Sequence, residues 1–134
     1  MPMPSNTVEG WIRYANNDIN TAVFMMNAAR NPRPYEIILH HCHQCAEKML
    51  KAFLLHNAGG YPMSHNLKEL RKECAGIDSD FNKRRVVEHC VYLDTFWNVK
   101  YPDFTISIDA SHAKRGINSA KRIQDFVSMK LRQG

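Results

Sequence analysis

The segment Tyr35–Ala58 reads YEIILHHCHQCAEKMLKAFLLHNA and lies between two sets of chain breakers, Asn31-Pro32-Arg33-Pro34 and Gly59-Gly60-Tyr61-Pro62. Inside it, Ile38, Cys42, Cys45, Met49 and Phe53 recur every three or four positions. That spacing is the stripe of an amphipathic helix, since a half-buried strand would alternate every second residue. Ala46, Leu50 and Leu54 widen the stripe, which predicts a helix packed against several partners at once. The same segment holds His40, His41 and His43, a Cys42-x2-Cys45 pair, and Glu47-Lys48 followed by Lys51.

Upstream, a helix is predicted from Ser5 or Thr7 to Ala29, with Trp11, Ala15, Ile19, Ala22, Val23 and Met26 on one face and Asp18 beside it. Arg13, Asn16, Asn17 and Asn20 form the solvated face. The short Asn31–Pro34 link makes these two helices an antiparallel hairpin. Downstream, the Gly59-Gly60 pair stops the second helix, because glycine accepts the left-handed helix stop. Asn66 or Ser64 caps a short helix, Leu67 to Cys74, which Gly76 ends. A fourth helix runs from Asp78 or Ser79 to Val99, with Phe81, Val86, Cys90, Leu93 and Trp97 inward. Phe104 to Ile108 alternates, but no second strand exists to pair with it. An extended loop packing Phe104 and Ile106 on the bundle is therefore expected. The last helix spans Asp109 or Ser111 to Leu131, with Ala113, Ile117, Ala120, Ile123 and Val127 inward. The sum is an all-α, up-and-down antiparallel bundle of four long helices plus one short one.

With 134 residues the chain reads as one domain, its helical core about residues 7 to 131. A net charge of +5 permits an anionic partner without demanding one. No apolar run reaches the roughly 20 residues that a membrane-spanning helix needs. Met1-Pro2-Met3-Pro4-Ser5 has no basic-then-apolar signal, so a cytoplasmic location and reduced cysteines are expected. His41 and Cys45 are spaced i, i+4, as two zinc ligands on a helix can be. Cys42 and Cys45 nevertheless fall on the apolar stripe, where free cysteine behaves as a small hydrophobe. Core packing is the preferred account, and neither metal nor cofactor is called for.

Four steps along the chain form a recognisable order. Trp11-x3-Ala15-x2-Asp18-x3-Ala22 comes first, then Cys42-His43-Gln44-Cys45-Ala46-Glu47-Lys48-x2-Lys51-Ala52. Ser64-His65-Asn66-Leu67 and Lys100-Tyr101-Pro102-Asp103 follow. This order, over roughly residues 8 to 127, resembles the HEPN domain family. The family pattern has a Gln-Ala-Ala-Glu-Lys-Ala-x-Lys run, a His-x-Leu step and an Arg-Tyr-Pro-Asp step. Cys45 stands where the family has a small residue such as alanine. Lys100 stands where it has arginine, which keeps the charge but loses the bidentate fork.

The resemblance implies a compact bundle that forms a homodimer. It also implies a nucleotide ligand, or RNA, or a separate minimal nucleotidyltransferase chain as partner, in the manner of a toxin–antitoxin pair. On the family's motif positions, Gln44, Glu47, Lys48, Lys51, His65, Lys100 and Tyr101 are the candidate ligand-binding residues. Taken alone, Glu47 and Lys51 would also be an ordinary exposed i, i+4 pair.

A subset of the family consists of metal-independent ribonucleases with an arginine four to six residues before a histidine. Arg84-x4-His89 meets that spacing, and His89 would be the general base there. Arg84 and His89 point about 140° apart on one helix, whereas Arg85 shares the face of His89 but misses the spacing. Catalysis by Arg84, Arg85 and His89 is therefore the alternative to a non-catalytic module. Lys114, Arg115, Lys121 and Arg122 add a basic stripe on the last helix, read first as a solvated face.

Overall fold

The computed structural model describes residues 6–28, 34–100, 102–103 and 106–133, with the backbone alone at 99 and 100. Five α-helices follow one another: α1 Val8–Met26, α2 Tyr35–Ala58, α3 Leu67–Ala75, α4 Arg84–Thr95 and α5 Ala110–Gln133. Short 3₁₀ turns occupy Ser79–Asn82 and Trp97–Lys100. No strand occurs among the described residues, so the bundle is all-α.

The α2 helix is the axis of the fold. It packs against α1, α3, α4, α5 and the Trp97 turn. Its widened stripe explains this, since Ile38, Cys42, Cys45, Ala46, Met49, Leu50, Phe53 and Leu54 are all buried. Gly59 closes α2 at φ 75°, the left-handed stop expected there. Thr7 caps α1 by accepting the Gly10 N–H at 2.9 Å. The helix ends at Met26; the expected end at Ala29 lies outside the described residues.

The expected fourth helix is broken twice. Arg71, buried on α3, donates from Nη1 to the Phe81 carbonyl at 3.3 Å and to Asn82 Oδ1 at 2.8 Å. That carbonyl would otherwise accept from the next helical turn, so the chain tightens into a 3₁₀ turn and restarts at Arg84. At the far end, Thr95 Oγ1 donates back to the Val91 carbonyl and the Phe96 N–H donates to the Leu93 carbonyl at 3.2 Å, three residues back. The Trp97 turn follows, so Trp97 leaves the apolar stripe on which the sequence placed it. The Phe104 position lies outside the described residues. Ile106 is 47% exposed, so it does not pack on the bundle, and Ile108 packs near Leu39 and Phe96 instead.

Gly116 sets the approach of α5 to α2. A Cβ built there would lie 2.5 Å from Leu39 Cδ2. The obstacle is the end of a flexible side chain, and alanine favours helix over glycine by about 1 kcal/mol. Gly116→Ala is therefore expected to change stability by no more than about 1 kcal/mol. Gly116→Val, with two more carbons in the same space, should cost about 1–3 kcal/mol. Urea unfolding of the two variants measures the difference.

Candidate functional site

Helix α2 carries its polar groups on two sides. On the α1 side, Asp18 is buried and accepts from Lys48 Nζ at 2.5 Å and from His41 Nδ1 at 2.8 Å. Towards the loop after α2, Glu47 accepts from Lys51 Nζ at 3.0 Å, His65 Nδ1 at 2.9 Å and Gln44 Nε2 at 3.2 Å. The structure thus gathers Gln44, Glu47, Lys51 and His65 into one network. Lys48 belongs to the Asp18 group. The Lys100 side chain and Tyr101 lie outside the described residues.

Glu47 and Lys51 are not an exposed pair: they are 3% and 6% exposed. Trp11 and Tyr61 meet edge to face and cover them, with Lys51 Nζ 5.7 and 5.3 Å from the two ring centroids. Burial raises the Glu47 carboxyl, but hydrogen bonds from His65 and Lys51 outweigh it and hold the group below its ordinary value.

Three groups joining this network were not among the binding residues expected from sequence. His43, fully buried, meets Asp94 Oδ1 through Nε2 at 3.0 Å. A carboxylate only accepts, so Nε2 carries the proton and donates. The two Asp94 oxygens also accept the Leu67 and Lys68 N–H groups at 3.0 and 3.1 Å. Asp94 is thus a cap for α3 supplied from α4, beside the local Asn66 cap. Trp97 lies over His43, ring centroids 4.5 Å apart, and stacks on His65 at 5.5 Å with 16° between planes. A shallow open cavity forms where Met63, Ser64, His65, Asn66, Asp94, Trp97 and Asn98 meet. His65 stands at its rim with its side chain 63% exposed.

The charges inside the network answer one another. Asp18, Glu47 and Asp94 face Lys48, Lys51 and the N-terminus of α3. A phosphate would compete with carboxylates already seated on both ammonium groups. What a ligand can reach is the His65–Trp97 rim. There Nδ1 of His65 is engaged by Glu47, which leaves Nε2 for a partner.

The cysteines belong to the core. Cys42 and Cys45 are fully buried, and burial, then the nearby Asp18 charge, pushes the Cys42 thiol up to about 12. Among the described residues no cluster of histidine, cysteine, aspartate and glutamate has the geometry of a metal site.

The alternative group is split. Arg84 pairs with Glu88 at 3.2 Å and its side chain is 92% exposed. Arg85 lines a cavity with His89 and Arg122. His89 Nδ1 lies 3.0 Å from Ser119 Oγ on α5. Burial, then the Arg122 charge, holds the His89 imidazole below its ordinary value of 6.5. A group whose folded value is lowered gives stability that is present above its unfolded value and lost as pH falls below it. Stability should therefore begin to fall below about pH 6.5, and His89→Gln should flatten that part of the profile. Thermal melts between pH 7.5 and 5 record it.

A model of the HEPN domain matches residues 8–130. The fold is similar to TT1696 from Thermus thermophilus, with a TM-score of 0.78 and 23% identity, covering 93% of this chain and 98% of that one. It is also similar to ST0689, an archaeal HEPN homologue, with a TM-score of 0.70 and 24% identity over 92% of this chain and 97% of the other. No curated protein matches the sequence. No helix among the described residues is long and apolar enough to cross a membrane.

Proposed function

The chain belongs to the HEPN domain family, and we propose that it is a non-catalytic helical module that dimerises and binds a nucleotide, a separate minimal nucleotidyltransferase chain, or both. The observation that carries this reading is the exposed His65 stacked on Trp97 at the rim of an open cavity, backed by a buried, charge-balanced network. The rim offers an imidazole nitrogen, an indole face and the Asn98 amide. That set suits a base or a protein side chain better than it suits phosphate, because the carboxylate in the lining is Asp94. Gln44, Glu47 and Lys51 then act by fixing His65. Lys48 acts by holding α1 to α2. Lys100 and Tyr101 enter the proposed site from the family pattern alone.

The non-catalytic reading is supported by Arg84, whose partner is Glu88 rather than His89. Light scattering after size exclusion tests the dimer. Tryptophan fluorescence during titration with nucleoside triphosphates, and co-purification with a co-expressed minimal nucleotidyltransferase, test the ligand. Trp97→Phe should remove most of the optical response, and Trp97→Ala should weaken binding about tenfold, as loss of one stacked ring does. A chain that stays monomeric and binds neither partner sinks the proposal.

A further inference from the structure

The cavity at the His65–Trp97 rim presents acceptors and negative charge. Glu47, held ionised by its hydrogen bonds, only accepts, so His65 carries its proton on Nδ1, 2.9 Å from Glu47 Oε2. In the neutral ring Nε2 is then an acceptor, on a side chain 63% exposed. Asp94 lines the same cavity with its side chain 22% exposed. It accepts two N–H groups at the start of α3 and the His43 ring N–H, but no lysine or arginine pairs with it among the described residues. A helix N-terminus carries only about half a unit of positive charge, so part of the Asp94 charge is left facing the cavity. Ser64, also in the lining, donates its hydroxyl at 2.7 Å to Glu69, a further carboxylate with no lysine or arginine partner among the described residues. No lysine or arginine among the described residues lines the cavity, although the chain as a whole carries +5.

We infer that this rim binds the guanidinium of an arginine side chain on a partner protein, with His65 Nε2 and Asp94 as acceptors and the stacked His65 and Trp97 rings beside it. This rests on the reading of the rim as the binding site, and it selects a cationic protein side chain over a nucleotide base. A guanidinium has donors and no acceptor, which matches this lining, whereas a base brings acceptors of its own towards Asp94. It is also planar, weakly hydrated and able to stack on aromatic faces, and the two rings lie 16° from parallel. An ammonium is a compact, strongly hydrated point charge and gains less there. Met63, 94% exposed at the edge of the cavity, offers the apolar stem of the side chain a surface to lie on. The cavity is about 380 Å³ and open, so it admits the end of one side chain while the body that carries it stays outside.

NMR titration of the full, isotope-labelled chain with end-blocked Gly-Arg-Gly, Gly-Lys-Gly and Gly-citrulline-Gly peptides, and with adenosine, tests the site. Citrulline keeps the shape of arginine and loses its charge. Shifts should cluster at His65 and the Trp97 indole. The arginine peptide should bind at least about fivefold more tightly than the citrulline peptide and about threefold more tightly than the lysine peptide. His65→Phe keeps a ring beside Trp97 but removes the acceptor, and should weaken the arginine peptide about fivefold. The citrulline comparison needs no variant, so it decides the matter even if His65→Phe does not fold. Equal binding of the arginine and citrulline peptides overturns the inference, and equal binding of the lysine peptide overturns the choice of guanidinium. Shifts spread over carboxylates away from the rim, Glu9 and Asp125 among them, mark a diffuse attraction and overturn it as well. Adenosine binding at the rim more tightly than the arginine peptide overturns it while leaving the rim a binding site. If neither the peptides nor adenosine move the rim resonances, this inference falls together with the reading of the rim on which it rests, so the two failures are told apart.

Discussion

Glu47→Ala is expected to cost about 3–5 kcal/mol, the largest loss among the substitutions considered, because it strands a buried ammonium. Lys51 is 6% exposed and Glu47 is its only carboxylate partner among the described residues. The Trp11 and Tyr61 rings would still face the Lys51 charge, which places the loss nearer the lower bound than for a lysine in an aliphatic core. Thermal unfolding should show a midpoint lowered by on the order of 10 °C. The double variant Glu47→Ala with Lys51→Met removes both charges and should recover much of the loss, as replacement of a whole buried pair does. If the double variant is no more stable than Glu47→Ala, the pair is not what holds this region. The acid limb gives an independent check. The folded value of Glu47 is lowered, so its contribution is present above the ordinary value of 4.5 and is lost as pH falls below it. Glu47→Gln should flatten the stability profile in that window.

The α2 helix shows what the sequence could and could not carry. Its boundaries, its cysteines and its many-sided packing follow from local spacing, because a 3.6-residue period and glycine stops are written within a few residues of each other. The Glu47–Lys51 pair was legible for the same reason. Its burial was not, since that depends on Trp11 and Tyr61 arriving from other segments. Asp94 was not read at all, and Trp97 was read only as an apolar stripe residue, on similar grounds. Asp94 meets His43 across 51 residues and Leu67 across 27, and no local pattern marks such a cap. Trp97 kept helical register with Leu93, and only the break after Thr95 turns it onto His65. That break, like the one before Arg84, comes from side chains taking over backbone groups, a competition that periodicity does not register. Arg122 was visible as charge alone; its place beside His89 depends on how α5 lies across α4.

Asp94→Ala is expected to cost about 2–4 kcal/mol and to disturb the rim as well as the fold. One carboxylate serves three donors: the Leu67 and Lys68 N–H groups and His43 Nε2. Loss of a helix cap costs about 1 kcal/mol, and Asn66 still accepts the Glu69 N–H, so the start of α3 is weakened rather than lost. The greater part falls on His43. Its ring is fully buried and its Nδ1 has no hydrogen-bond partner among the described residues, so without Asp94 it keeps no strong acceptor for its N–H. An unsatisfied buried donor costs about 1–3 kcal/mol. Asp94→Asn separates the two parts. An amide oxygen can still cap α3 or accept from His43, but it cannot serve all three donors with the strength of a charge. It should therefore lose about half as much as Asp94→Ala. The functional consequence follows from position: His65 lies two residues before Leu67, and Trp97 lies three after Asp94. Both rim residues are held by the contact that the substitution removes. Ligand or partner binding at the rim should thus weaken in Asp94→Asn at temperatures where the chain is still folded. Binding titrations well below the melting temperature read this, and an unchanged affinity in the destabilised variant would show that Asp94 supports the bundle as a whole rather than the rim.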